Sequence, residues 1–431
     1  MKLSKLSIII LLAALTLTAS CDFLDKEPTR TTSGSYFKNE AETESFLKGV
    51  YAILTQTSFY GNDYFFLAGG DDLEAYGGPG RSPVTRGLIC NNANSSDPAV
   101  TAFWYTLYAG INRANIFLES VYGVSGLPES AKKRMAAEAR FLRAFYYFNL
   151  VQCWGDVPFK TSSTQSVDGL QIARTPKEQI YDFICKEMEE SADHLKTASE
   201  NGYLPGSVTK SVAWGILARV YMFRAGECFR DGVAPDPTLR KTYFTKAGTF
   251  AQKVMHEGHT LAPNYWDYFI DQCSDKYNTT GKESIWEAEF TGNYSTDTRT
   301  EGRVGNIIGI QAPDLSSKAE LTGKADPGFG YCFFWSTPKL YELYEANGDK
   351  NRMNWNIAPF TYTQSKSGKG VDGRMFEKGK RDEVKAQYWN KSFSYGDQPS
   401  NAKFGDREKT TETTDYSRAC GKWRREYEPD K

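Results

Sequence analysis

Histidine is scarce in this chain, which has only His194, His256 and His259 in 431 residues. His256 and His259 are three positions apart, whereas two histidines that share a zinc ion on one helix face are four positions apart. The spacing therefore favours surface or helix-capping histidines over a metal centre. The sequence also lacks a Gly-x-Ser-x-Gly elbow, a phosphate-cradling loop and a dinucleotide-binding glycine pattern. We therefore predict no catalytic residue, no metal and no cofactor.

The chain is also nearly neutral and has no closely spaced cysteine pair. The chain has 52 basic and 53 acidic side chains, without a basic tract or an acidic tail, so nothing indicates a nucleic-acid partner. Its eight cysteines are scattered and form no C-x-x-C pair, which argues against a zinc site or a dense disulfide framework. After Cys21 no apolar run reaches the ~20 residues that a membrane span needs. The pattern predicts a globular protein rather than an integral membrane protein.

The first 20 residues have the features of an export leader. Lys2 and Lys5 precede an almost purely apolar run from Leu6 to Leu17. Such a run is too short for a transmembrane helix and is typical of a signal peptide.

Small residues stand directly before a lone cysteine at the end of this leader, in the order Ala19, Ser20, Cys21. They resemble a bacterial lipobox, in which a peptidase cuts before the cysteine and the sulfur carries a diacylglycerol. Thr18 departs from the pattern, since leucine is usual there. We predict that residues 1–20 are a lipoprotein signal peptide, that Cys21 is lipidated, and that residues 21–35 are a tether. Simple secretion, with Cys21 an ordinary thiol, is the alternative.

Aromatic residues are abundant and make up 14% of the chain, as 26 Tyr, 26 Phe and 9 Trp. Part of this content belongs to a core. An excess of aromatic residues in a polar exported protein also suits sugar binding, because the C–H face of a pyranose ring stacks on a flat apolar side chain.

Apolar residues recur at helical spacing through the first 260 residues. The helix that ends before Gly155 and Pro158 has the strongest pattern, and a later helix has Thr175 as its predicted N-cap with Pro176 in the first position. The predicted helices cover residues 39–54, 99–121, 128–154, 176–195, 208–225 and 243–257.

A weak internal echo links two of these helices. Leu142–Tyr146 resembles Ala218–Met222, 76 residues later, an offset that two tetratricopeptide units of about 34 residues and a loop would fill. Beyond Ala262 only 338–345 reads as a helix. We predict a mostly α-helical fold, with a tetratricopeptide-like solenoid over 36–260, an inserted loop at 60–98, and an irregular ligand-binding region over 261–431.

Two loops combine flat aromatic side chains with planar polar groups, which are the two requirements of sugar recognition. The first runs from Gly69 to Arg81 and the second from Phe329 to Ser336. Core packing is the alternative for each aromatic residue, and the polar, breaker-rich surroundings favour Tyr76 and Trp335. The candidate ligand-binding residues are Asp71, Asp72, Tyr76, Arg81, Phe334 and Trp335.

Several blocks of sequence match one known family in order. The tract Ala137–Phe148, closed by Trp154–Pro158, closely resembles the signature helix and turn of SusD/RagB family lipoproteins. Cys21–Pro28, Trp104–Asn115 and Thr209–Tyr221 resemble other blocks of that family, and Asp349–Arg352 is a looser match. The final helical stretch usual in the family has no counterpart here, and a truncated chain is the simplest explanation.

The resemblance implies a non-catalytic lipoprotein on the outer face of the outer membrane, where it acts as the lid of a TonB-dependent, SusC-like transporter barrel. It implies capture of a nutrient, most commonly an oligosaccharide, on the loop-rich side and packing of the helical side on the barrel. A stand-alone surface glycan-binding lipoprotein is one alternative. A surface glycoside hydrolase is another, although sequence alone places no two carboxyls across a cleft as that reaction requires. Of the adjacent carboxylates, Glu189–Glu190 is expected on a solvated helix face, and Asp71–Asp72 lies in the Gly-rich loop.

The lipobox interpretation predicts the mass of the mature protein. The expected amino terminus is Cys21 with its sulfur acylated, because cleavage and lipidation are coupled at that cysteine. Mass spectrometry of the purified protein measures both. An unmodified chain that keeps its leader and stays soluble inside the cell would contradict the prediction.

Overall fold

The computed structural model describes a large part of the chain. The described residues are 37–64, 75–77, 94–166, 168, 170–230, 232, 234–279, 281–290, 302–310, 334–336, 338–357 and 420–423. The predicted signal peptide, Cys21 and the tether lie outside this part, so the predictions made for them remain predictions.

Ten α-helices, a π-helix turn (Thr57–Gly61), a 3-10 turn (Val121–Gly123) and four short strands lie within the described residues. The helices are α1 (Glu40–Tyr51), α2 (Pro98–Ser120), α3 (Glu129–Trp154), α4 (Lys177–Ala192), α5 (Lys210–Glu227), α6 (Pro237–Met255), α7 (Asp267–Cys273), α8 (Val304–Ile308), α9 (Pro338–Ala346) and α10 (Lys350–Asn356). The strands are β1 (Ala75–Gly77), β2 (Val157–Pro158), β3 (Arg174–Thr175) and β4 (Phe334–Ser336). None of the helices in these ranges combines the length and apolar character that crossing a bilayer requires.

Helices α1 to α6 form a stack in which each helix packs on the preceding one. Nearest-neighbour packing of this kind is the pattern of a helical-hairpin solenoid. The internal echo falls on α3 and α5, the first helices of two successive hairpins. The predicted mostly α-helical, tetratricopeptide-like fold is confirmed.

Helix α3 is the centre of the stack and is buried on every side. Helices α1, α2 and α4 all contact it, and almost every residue from Met135 to Val151 is buried. The sequence pattern predicts a single apolar stripe and a solvent-facing Arg143. The prediction for Arg143 is wrong, because α2 and α4 cover both flanks of α3 and leave its side chain 8% exposed.

A glycine sets the distance between α2 and α3. A Cβ atom added to Gly110 would lie 2.7 Å from the ring of Tyr146, so only glycine permits this approach. The Tyr146 hydroxyl donates to the carbonyl oxygen of Val50 at 2.7 Å. Because of this bond, a fully buried tyrosine in α3 also holds the end of α1.

Two helix starts differ from the sequence-based prediction. Helix α4 begins at Lys177 rather than Pro176, because Pro176 is extended (ψ 131°) and takes the N-cap position. The cap is supplied from elsewhere: the β2–β3 pairing brings Asp156 beside the helix, and the Lys177 N–H donates to its carboxylate at 2.9 Å. Helix α6 begins six residues before the predicted 243, at Pro237, with the Asp236 carboxylate accepting from the Leu239 N–H at 2.8 Å.

A buried ion pair joins α3, α4 and α2. The Arg143 Nη2 donates to the Glu187 Oε2 at 2.5 Å, and its Nη1 donates to the Asn115 Oδ1 at 2.8 Å. Asn115 in turn donates to the carbonyl oxygen of Ser162 at 3.0 Å, and the guanidinium lies 5.2 Å from the Phe183 ring centroid. The network therefore fixes three helices and the segment that follows β2.

A second buried network joins α1, α3 and the approach to α5. The Tyr51 hydroxyl donates to Glu138 Oε2 at 2.7 Å and accepts from the Val208 N–H at 2.9 Å. Arg134 donates to the other Glu138 oxygen at 2.6 Å. Burial raises the pKa of the Glu138 carboxyl above its ordinary value, against the opposing effect of Tyr51 and Arg134.

The four later helices form a smaller region that a distant segment closes. Gly421 donates its N–H to the carbonyl oxygen of Asn356 at 2.8 Å. The Trp423 indole N–H donates to Gln272 at 3.2 Å, and its ring meets that of Phe269 edge-on at 5.8 Å. Of these helices the sequence predicts only α9, and the proposed boundary near residue 260 stays a prediction.

Replacement of Arg143 by methionine should destabilise the fold by about 3 to 5 kcal/mol, because Glu187 keeps a buried charge without its main partner. Urea unfolding measures the free energy. The free energy of unfolding of the Arg143→Met/Glu187→Met double variant should fall by less than the sum of the decreases in the two single variants. Arg140→Met is the matched control, since its ion pair with Glu190 is half exposed and its contact with Glu187, at 3.9 Å, is much longer than that of Arg143, so it should contribute less than ~1 kcal/mol. Equal losses for Arg140→Met and Arg143→Met would contradict the role of the buried pair.

The raised pKa of Glu138 predicts a pH-dependent stability. Below about pH 4.3, the pKa of an unfolded glutamate, the carboxyl is protonated in both states and its contribution is complete. That contribution falls as pH rises from there through the raised folded pKa, because the folded state must give up a proton it prefers to keep. The stability of wild type relative to Glu138→Gln should therefore decrease with pH in this window and then level off. A difference that rises with pH would show that the ion pair with Arg134 dominates instead.

Candidate ligand-binding site

The two loops that the sequence singles out meet in the folded chain. Strand β1, from the first loop, pairs with β4, from the second, as a two-stranded antiparallel ribbon. The register places Tyr76 directly opposite Trp335, with Ala75 opposite Ser336 and Gly77 opposite Phe334. The two residues that sequence reasoning favours most are thus cross-strand partners, although 259 positions separate them.

The register also assigns faces to the ribbon. Residues directly opposite each other in an antiparallel pair share a face, and alternate residues along a strand lie on opposite faces. Tyr76 and Trp335 therefore occupy one face, and Phe334 and Ser336 belong to the other. Phe334 is 4% exposed and Ser336 is 6% exposed, so the Phe334–Ser336 face is turned into the protein.

Helix α8 supports the ribbon and brings charge near it. This helix contacts β4, and Ile307 within it is fully buried. Arg303, just before α8, faces the carboxyl of Asp63 and lowers its pKa, whereas burial raises the pKa of Asp63 more strongly, for a net increase.

An aromatic cluster that the sequence does not single out lies where the first loop leaves the helical stack. Phe59 stacks on Tyr60 with 4.2 Å between ring centroids, and Tyr64 meets both rings edge-on at 5.4 and 5.0 Å. Phe103 connects these rings to Trp154 at 5.8 Å. Tyr60, Tyr64 and Trp154 are half-buried, so the cluster is both an anchor for the loop and a partly accessible aromatic surface. Aromatic density at 59–66 was the available signal, but it is equally typical of a core.

The predicted site residues have different outcomes. Tyr76 and Trp335 are brought together on one face of the ribbon. Phe334 is buried, which favours core packing over sugar stacking for this residue. Asp71, Asp72 and Arg81 lie outside the described residues, and their roles stay predictions.

The groups considered for catalysis have structural partners. Glu189 accepts from the Tyr221 hydroxyl at 2.6 Å, and Glu190 pairs with Arg140 at 3.2 Å on the helix surface. His256 is the C-cap of α6, and His259 bonds through Nδ1 to the carbonyl oxygen of Lys282 at 2.9 Å. His256 thus has the predicted capping position, whereas His259 is half-buried and its Nε2 has no hydrogen-bond partner among the described residues. Within the described ranges, no three His, Cys, Asp or Glu side chains are grouped so as to hold a metal ion.

Comparison with known proteins finds SusD-like relatives. Residues 22–222, a little under half of the chain, match the SusD-like family described as starch-binding and associating with the outer membrane. The SusD-like protein P2 of Formosa agariphila is 26% identical over 390 residues, which cover 88% of this chain and 68% of the relative. This similarity agrees with the resemblance carried by the α3 tract and the turn that follows it.

Solved structures of SusD-like proteins share the fold. A SusD homologue from Bacteroides thetaiotaomicron superposes with a TM-score of 0.70 at 23% identity, over 92% of this chain and 69% of the other. A laminarin-binding SusD-like protein superposes with a TM-score of 0.58 at 24% identity, over 75% of this chain and 67% of the other. The chain spans about two thirds of the length of each of these three proteins.

Proposed function

We propose that this protein captures an extracellular glycan at the β1–β4 ribbon without cleaving it. The observation that carries the proposal is the register of the ribbon, which sets Tyr76 against Trp335 on one face. Two adjacent aromatic residues on one face of a ribbon can form a platform for the C–H face of a sugar ring, and aromatic platforms supply much of the contact area in binding sites. Phe334 and Ser336, which flank Trp335 on β4, are buried, and we infer that the ligand binds on the other face of the ribbon.

The comparisons support the ligand class. The family is described as starch-binding, and one structural neighbour is a laminarin-binding protein. Both of these ligands are neutral glucans, which stack on aromatic side chains and need no charged partner. We infer an oligosaccharide as the ligand, held also by Asp71, Asp72 and Arg81 of the first loop.

We further propose that lipidated Cys21 anchors the protein to the outer face of the outer membrane, and that it passes its ligand to a TonB-dependent, SusC-like barrel. The family description, which places its members at the outer membrane, supports this location. Purification in mild detergent tests the partner, because a stable complex brings the barrel down with the lipoprotein. Recovery of glycan binding without any barrel would favour the stand-alone alternative.

Trp335→Ala and Tyr76→Ala should each weaken binding of the preferred glycan by about tenfold or more, since a tenfold change corresponds to ~1.4 kcal/mol and each variant removes half of the platform. Affinity electrophoresis of the full chain in gels containing laminarin, starch or xyloglucan measures the effect. Tyr122→Ala is the matched control, because Tyr122 is an exposed tyrosine outside the ribbon. Phe334→Ala separates packing from binding, since it should lower the melting temperature.

Two results would reject this function. Retention of full affinity in the Trp335→Ala/Tyr76→Ala double variant would show that the ribbon is not the binding face. Release of reducing ends from any of these polysaccharides by the purified protein would show a glycoside hydrolase.

A further inference from the structure

A second concave surface lies at the corner between α5 and α6, far along the sequence from the ribbon. Its open volume is about 450 Å³. We call it the α5–α6 corner, and its lining residues are Phe229, Pro237, Arg240, Lys241, Phe244 and Thr245. Phe229 and Phe244 are 43% and 45% exposed, which is unusual for phenylalanine and leaves an apolar surface in contact with water.

Arg240 is the central polar group of the α5–α6 corner. Its guanidinium carbon lies 4.3 Å from the ring centroid of Phe229 and 5.4 Å from that of Phe244. Its Nε has no hydrogen-bond partner among the described residues, and the side chain as a whole is half-buried. Arg240 forms no ion pair with another described residue, in contrast to Arg224 and Arg230 of the same hairpin, which pair with acidic side chains.

The nearby carboxylates are already engaged, which explains why Arg240 lacks a partner. Asp236 caps α6 by accepting from the Leu239 N–H. Glu227 pairs with Lys177 and Arg230. A planar guanidinium that lies against aromatic rings is prearranged for a two-pronged bond from its terminal nitrogens to an oxyanion.

The other side chains of the α5–α6 corner suit a ligand in which an anionic group is attached to a sugar ring. Lys241 adds a second positive charge, and the Thr245 hydroxyl can accept while it donates to the Lys241 carbonyl oxygen at 2.9 Å. The exposed parts of Phe229 and Phe244 can take the C–H face of a sugar ring. A free inorganic anion would use the guanidinium but not the apolar walls.

We propose that the α5–α6 corner is a second saccharide site that binds an acidic sugar unit, with a carboxylate or sulfate ester forked on Arg240 and the sugar ring against Phe229 and Phe244. The proposal rests on glycan capture as the function of the protein. It adds a ligand class, acidic saccharide, that the Tyr76–Trp335 platform does not select.

Calorimetric titration of the full chain with tetragalacturonate, at constant ionic strength, tests the site. Arg240→Gln should weaken binding at least tenfold, and Arg240→Lys should restore it only in part because lysine cannot form the two-pronged bond. Arg230→Gln is the matched control on the same corner and should bind like wild type. In protein labelled with ¹⁵N-arginine, the Arg240 Nε–H signal should shift on addition of tetragalacturonate, a readout that needs no variant to fold.

Each remaining outcome has a definite meaning. If Arg230→Gln and Arg240→Gln lose equal affinity for tetragalacturonate, the binding is general charge attraction, and the proposal is overturned. If sodium sulfate binds as tightly as tetragalacturonate, the corner holds an adventitious ion only, and the proposal is overturned. If phosphatidylglycerol vesicles bind in an Arg240-dependent manner and saccharides do not, the corner is a lipid-binding surface, which also overturns the proposal.

Trp335→Ala should leave tetragalacturonate binding at this corner intact. If Arg240→Gln binds tetragalacturonate as tightly as wild type does, and wild type still binds laminarin, this site alone is rejected. If wild type binds no glycan at all, the proposed function is rejected as well.

Discussion

The helical stack depends on the buried ion pair between Arg143 of α3 and Glu187 of α4. Burial of apolar surface drives the helices together, but it has no direction and tolerates sliding. A buried charge without its partner costs several kcal/mol, so α3 and α4 are held in the register that joins these two groups. Because Asn115 and the carbonyl of Ser162 extend the network, the same pair orients α2 and the segment after β2.

The β1–β4 ribbon of the candidate site depends on burial of one of its faces. Two strands of three residues are too short to be stable in water by themselves. The β1–β4 ribbon persists because Phe334 and Ser336 are buried and α8 packs beside β4. A rigid base that presents irregular loops is the usual arrangement for binding proteins, since the scaffold bears the stability and the loops carry recognition.

The aromatic excess of the chain serves two purposes that composition does not separate. Tyr146, Tyr147 and Tyr181 are fully buried and pack the helices, so they explain part of the excess without any ligand. Phe229 and Phe244 are nearly half exposed on α6 and its approach. Exposed rings beside an unpaired guanidinium differ from the neutral Tyr76–Trp335 platform, and the two surfaces would suit different classes of sugar.

Local signals in the sequence determined much of this protein. Apolar periodicity located α1 to α5 to within a few residues, Gly155 ended α3 as predicted, and the composition of two loops selected Tyr76 and Trp335. The sequence also carried a signal that was overlooked, since Asp236 followed by Pro237 is a regular helix start. Each of these features rests on residues that are close along the chain.

Tertiary structure alone decided the features that join distant residues. The pairing of Tyr76 with Trp335, the burial of Arg143 opposite Glu187, the capping of α4 by Asp156 and the isolation of Arg240 all depend on which elements become neighbours. Spacing along the chain carries no information about such contacts, because a periodic pattern shows that a face is apolar but not what will cover it. The sequence by itself therefore determined helices α1 to α6 and α9 and the chemistry of the loops, and only the folded chain decided which of those groups meet.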